Sequence, residues 1–197
     1  MGTLLNRRRY MGGGYSLPYD AEIEYLESTG TQYIDTGINC REIITATYSI
    51  AFSQIPTGIN LIIGAFWDNP PSIPRFQFFY NNGWKDVNTT YAITTGEGIA
   101  YNVAATALKV YNVTSKSKNK YNSDSTIWIF ARNNDHNDYL FASHLRFYSL
   151  SILRGGVLVR DFIPVRKGNT GYMYDKVSGQ LFGNSGTGEF ILGPDKT

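Results

Sequence analysis

The 197-residue sequence predicts an all-β fold of two antiparallel sheets packed as a sandwich, and three observations predict it. From Glu22 onward no stretch carries the three-to-four-residue apolar spacing of an amphipathic helix. Short runs rich in β-branched and aromatic residues are instead separated by turn chemistry. One of them, TIWIF at Thr126–Phe130, is apolar on both faces and needs cover on two sides, which a layered β architecture supplies.

Residues 1–20 read as an arm preceding a sandwich domain at residues 21–197. MGTLLNRRRY is followed by Gly12-Gly13-Gly14, a flexible joint, and then by Pro18, which opposes helix continuation. Leu4, Leu5, Arg7, Arg8 and Arg9 make the arm basic and partly apolar, with no acidic residue before Asp20. Those five residues are the candidate anchor, and the alternative is that the segment is a flexible tail, as chain termini commonly are.

Within the domain the expected strands are Ile23–Glu27, Thr31–Asp35, Glu42–Phe52, Ile59–Phe66, Arg75–Tyr80 and Leu108–Val113. The second half adds Thr126–Arg132, Leu145–Leu153, Val157–Ile163, Tyr172–Asp175, Gln180–Phe182 and Phe190–Leu192. Two-residue alternation sets Ile44, Ala46, Tyr48 and Ile50 against Ile43, Thr45, Thr47 and Ser49, so one face of that strand is more polar. Asn82-Gly83 and Arg154-Gly155-Gly156 are hairpin turns. A further strand is expected near Ile99–Val103, followed by a solvated loop from Thr114 to Ser125 carrying Lys116, Lys118 and Lys120.

Composition bounds the function. Eighteen basic against sixteen acidic side chains give a net charge of +2, too balanced for nucleic acid as the main partner. No apolar run reaches the roughly 18 residues of a membrane helix. The arginine triplet is followed by MGGGYSLPYD rather than an apolar stretch, so it does not read as an export signal. The single cysteine, Cys40, excludes an internal disulfide and is expected to be structural, because His136 and His144 lie far away in sequence.

GYMYDKVSGQLFGNSGTGEF concentrates glycines near the C-terminus. A phosphate loop needs Gly-Lys-Ser/Thr between a strand and a helix, and a dinucleotide fold needs a βαβ unit; neither is present. The glycines are therefore assigned to chain geometry: a turn at Lys176–Gly179, then backbone angles that only glycine adopts easily.

LVRDFIPVRKGNTGYMYDKVSGQLFGNSGTGEF, together with YLESTGTQYIDTGI at Tyr25–Ile38 and the strand Ile127–Ala131, resembles a family of concanavalin A-like (laminin G-like) jelly-roll sandwiches abundant in gut bacteria and their phages. The resemblance spans about Glu22 to Gly193. It implies a fold and a genomic neighbourhood rather than an activity.

The same fold hosts glucanases with a Glu-x-Asp-x-x-Glu strand, which Glu22, Glu24 and Glu27 match superficially. Retaining hydrolysis requires two carboxyl groups about 5–5.5 Å apart across the sugar. Glu27 would share a face with the other two only through a bulge, so these residues are expected to be structural. Asn133–Asp138 (NNDHND) gathers oxygen ligands of the calcium type, but without EF-hand spacing it reads as an Asn/Asp turn. Trp67 and Trp84 are the loop aromatics that could stack on a glycan, whereas Trp128 belongs to the core.

The expectation is thus a non-enzymatic virion structural protein, a phage head fibre or capsid decoration. It needs no cofactor or metal, inserts in no membrane and has no nucleic-acid partner. The arm engages other virion proteins, the sandwich makes weak glycan or host-surface contacts, and the assembly is a homo-oligomer, taken as a trimer. The alternative is a bacterial cell-surface glycan-binding module, with a glycoside hydrolase third.

Overall fold

The computed structural model describes residues 16–55, 57–66, 75–80, 84–87, 89–93, 105–117, 120, 124–134, 138–140 and 144–197. Among them there are strands and turns but no helix. The first strands are β1 (Ala21–Glu22), β2 (Leu26–Thr29), β3 (Ile34–Asn39), β4 (Ile44–Phe52), β5 (Asn60–Phe66) and β6 (Arg75–Tyr80). Then come β7 (Trp84–Val87), β8 (Thr89–Ile93), β9 (Tyr111–Ser117), β10 (Thr126–Ile129), β11 (Arg132–Asn134) and β12 (Asp138–Leu140). The C-terminal part is β13 (His144–Arg154), β14 (Val157–Lys167), β15 (Thr170–Asp175), β16 (Gln180–Phe182) and β17 (Ile191–Leu192).

Two sheets form. The first runs β16-β15-β14-β13-β4-β9-β8, with β2 paired to β13 and β17, and β1 to β14. The second runs β12-β11-β5-β10-β3, with β6 paired to β5 and β7 to β6. The architecture is that of a β-sandwich.

The first sheet is organised by β13 and β4, which pair from Leu145↔Phe52 to Arg154↔Ile44. On β4, Ile44, Ala46, Tyr48 and Ile50 are buried while Thr47 is exposed, as the alternation requires. On the outer face Thr47 hydrogen-bonds Thr114 at 3.0 Å and Ser49 donates to Asn112. The hairpin joining β13 to β14 turns at Gly155 and Gly156, both with positive φ (58° and 85°).

Aromatic rings span the core. Tyr48 and Phe147 of the first sheet meet Phe78 of β6 and Phe130 at the end of β10, with ring centroids 4.8–6.2 Å apart. All four are fully or almost fully buried, each worth roughly 1.5–3 kcal/mol of apolar transfer. The Tyr48 hydroxyl is not stranded, since it bonds Ser115 Oγ at 2.8 Å.

The second sheet contains a reversal. Trp128 and Ile129 of β10 run antiparallel to β5, whereas Arg132–Asn134 of β11 run parallel to it. Between them Phe130 takes φ of +71°, a left-handed conformation that costs a non-glycine residue about 1–2 kcal/mol. Its complete burial and the hydrogen bond from its amide to Ile62 O at 2.9 Å hold it there.

Several expectations shift. The first expected strand is interrupted between Glu22 and Leu26, where only Ile23 bridges, to Asp195. The strand expected at Thr31–Asp35 begins at Ile34, because the backbone of residues 31–33 bonds to the C-terminal glycine loop instead of a ladder. Leu108 stands in a turn with φ of +60°, so β9 starts at Tyr111; it then runs through Ser117, making strand of what read as loop at Thr114. The run expected at Thr126–Arg132 divides into β10 and β11, and β7, β8 and β12 were not anticipated. Ile99–Val103 lies outside the described residues.

Candidate functional site

The motif segments turn out to be a structural clamp. In GNSGTG, Asn184 Oδ1 accepts hydrogen bonds from the amides of Tyr33 (3.2 Å) and Gly186 (2.8 Å), and Asn184 Nδ2 donates to Gly188 O at 2.9 Å. The amides of Ser185 and Thr187 donate to Tyr33 O and Thr31 O at 2.8 and 3.1 Å. The loop therefore zips onto the chain entering β3. A Cβ at Gly186 would overlap the Thr31 carbonyl oxygen, so glycine is required by close approach. Further along, Arg160 Nε donates to Thr36 O at 2.9 Å.

STGTQ is closed from within. Gln32 is buried, its Oε1 accepting from the Thr29 amide at 2.8 Å and from Ser28 Oγ at 3.1 Å. The aspartate of YMYD, Asp175, is fully buried and accepts from the amides of Asp161, Val177 and Ser178 and from Ser178 Oγ at 2.7–3.2 Å. Burial pushes its pKa up, but the hydrogen bond from Asp161 and those from Ser178 and Val177 outweigh it and hold the group below its ordinary value.

Glu27 of EIEYLE differs in its surroundings from Glu22 and Glu24. Glu22 and Glu24 are exposed, Glu22 accepting from the Tyr19 hydroxyl at 3.4 Å. Glu27 is buried against Arg146 Nε at 2.7 Å, and that guanidinium lies 4.2 Å from the Tyr25 ring centroid. Cys40 is buried and its thiol is pushed up to about 12 by desolvation, the reverse of what a nucleophile needs.

Asn133 is also engaged in structure, its Nδ2 donating to Thr126 O at 3.1 Å. Asn134 pairs antiparallel with Asp138, and residues 135–137, with His136, lie outside the described residues. Among the described residues no three His, Cys, Asp or Glu side chains gather as a metal site. Trp128 is buried as expected, stacked on Tyr33 with centroids 4.1 Å apart. Trp84 opens strand β7, paired with Tyr80, and so does not stand in a loop as expected. Trp67 and the arm residues Leu4, Leu5, Arg7, Arg8 and Arg9 lie outside the described residues.

One concavity was not anticipated. At the end of the first sheet where β4 finishes and β13 begins, Gln54, Ile55, Thr57, Gly58, Asn60 and His144 line an open cleft of about 310 Å³. The Ser53 amide donates to His144 O at 3.2 Å, fixing one wall. Nothing in the sequence marked it, because His144 lies far in sequence from Gln54–Asn60 and only strand pairing joins them. No family model matches the chain, and neither the curated proteins nor the solved structures include a match.

Proposed function

We propose that the chain is a concanavalin A-like jelly-roll module of a phage virion, a head fibre or capsid decoration, which displays its sandwich for weak glycan or host-surface contact. The arm residues Leu4, Leu5, Arg7, Arg8 and Arg9 grip other virion proteins, and copies of the chain assemble as a trimer. Several copies turn weak contacts into useful avidity.

The observation that supports this reading is the way the N-terminal segment enters the sandwich. The Asp20 amide donates to Arg166 O at 2.9 Å, and the Asp20 carboxylate accepts from the Gly168 amide at 2.7 Å. The next residues zip onto the C-terminus: Lys196 to Glu22 O, Glu24 to Pro194 O and Gly193 to Tyr25 O, all at 2.9–3.0 Å. Arg166 in turn holds Asp195 by two bonds of 2.6–2.7 Å. A pull on the arm is thus shared among several backbone hydrogen bonds, as a tether requires.

The test is deletion of residues 1–15, which spares the contacts of Tyr19 and Asp20, with peptide mass spectrometry on density-banded particles. The full chain should be present stoichiometrically and the shortened chain, still folded, should be lost. Equal incorporation of both would refute the anchor, and recovery of the full chain only from the host envelope would refute the virion role.

A further inference from the structure

We infer that the cleft lined by Gln54, Ile55, Thr57, Gly58 and Asn60 on one side and by His144 at the start of β13 on the other is a subsite for one neutral sugar ring. This deepens the glycan-contact part of the proposed function and rests on it, while placing the contact away from the two tryptophans.

The lining has the chemistry of a pyranose. Gln54, Thr57, Asn60 and His144 offer donors and acceptors, and Ile55 is apolar. Ile55 and the neighbouring Ile59 stay 38% and 42% exposed, an apolar surface fit for the C–H face of a sugar. Among the described residues no carboxylate, lysine or arginine lines the cleft, so no permanently charged group among them selects a phosphate, sulfate or acidic sugar.

The polar groups are also free to bind. Among the described residues Asn60 spends only its Nδ2, on Gly58 O at 3.2 Å. Gln54, Thr57 and His144 make no side-chain hydrogen bond or ion pair among the described residues, in contrast to the polar side chains of the motif segments. The adjacent Ser53 hydroxyl is buried with no partner among the described residues, which is uncommon for a buried polar atom.

The site is held in place. His144 pairs with Thr29, whose turn is locked by Gln32, so the wall carrying His144 is backed by the STGTQ clamp. A volume of about 310 Å³ is at the small end of ligand sites, which limits it to one ring with the rest of the glycan in solvent. With no aromatic ring among the described residues of the lining, affinity for a single sugar should be millimolar and become useful through multiple copies.

The experiment is amide-resolved NMR of the full chain titrated with methyl glycosides of neutral hexoses and N-acetylhexosamines, with glucuronic and sialic acids as charged comparisons. At least one neutral glycoside should shift the side-chain amide signals of Gln54 and Asn60 saturably. Gln54→Ala and His144→Ala should each weaken that binding by about fivefold or more, as loss of one hydrogen bond does. The inference is overturned if no glycoside moves those signals, if the shifts centre on Trp84, or if acidic sugars bind better. Gln54 is exposed, so its variant keeps the test sound even where His144→Ala unfolds. A chain that enters particles but binds no sugar removes the subsite and leaves the display role. A chain that binds sugar in the cleft but is absent from particles does the opposite.

Discussion

The edge of β3 and the loop after β4 treat polar groups in opposite ways. Beside β3, the Tyr33 amide and carbonyl and the Thr31 and Thr36 carbonyls are each matched, by Asn184, Ser185, Thr187 and Arg160. After β4, Gln54, Thr57 and His144 remain unengaged among the described residues around a cleft, with two half-exposed isoleucines alongside. An open sheet edge invites association with other strands, so the first region uses its polar chemistry for closure. The second leaves that chemistry available to a ligand. Substitutions should therefore cost stability at the first region and leave it unchanged at the second.

The largest effect is expected for Gly186→Val. Its Cβ would overlap the Thr31 carbonyl oxygen and come within 3.1 Å of Tyr33 Cδ1. That oxygen is backbone and accepts the Thr187 amide, so it cannot yield without opening the clamp. A loss of about 3 kcal/mol or more in urea unfolding is expected, at the upper end of overpacking costs. A loss under about 1 kcal/mol would mean that the loop does not close on β3 in this way.

Asp175→Ala comes next, at about 3 kcal/mol, because three amides and a hydroxyl would lose a buried charged acceptor. The same carboxylate sets an acid limit. Its folded pKa lies below the unfolded value of about 3.9, so its contribution is complete above that pH and is lost as pH falls through the folded value. Urea midpoints followed from about pH 6 to pH 2 should fall for the parent chain and fall less for Asp175→Asn. Parallel slopes would exclude Asp175 as the titrating group.

Local chemistry made much of this legible from the sequence. The alternation of Ile44–Ile50 fixed the buried face of β4, and Gly155-Gly156 and Gly179 marked turns where glycine is needed for positive φ. The glycines of GNSGTG could be assigned to geometry for want of any lysine or helix beside them, but their partner could not. The bonds to Thr31 and Tyr33 span about 150 residues, and nothing in either segment names the other. Glu27 posed the same problem, since its partner Arg146 is 119 residues away. Phe130 hid a reversal: IWIFA, at Ile127–Ala131, is apolar with no turn residue in it, and the left-handed angle arises from tertiary packing. The cleft was least visible, because a free polar side chain looks the same in sequence as a committed one.

The smallest effect tests the comparison from its other side. Gln54→Ala removes an exposed side chain that makes no hydrogen bond within the protein among the described residues, so no cap, ion pair or core contact is lost with it. Its urea midpoint should match that of the parent chain, within about 0.5 kcal/mol of stability, as for surface positions generally. The Ile59→Ser change, at a residue 42% exposed, should cost little more, since only part of its apolar area leaves the protein interior. A loss above about 2 kcal/mol from Gln54→Ala would mean that its amide is part of the closure, like Gln32 in the neighbouring turn. The contrast with the β3 edge would then fail. Unchanged stability would leave Gln54 at an address where the fold asks nothing of it, and any selectivity its amide shows for a sugar would belong to binding alone.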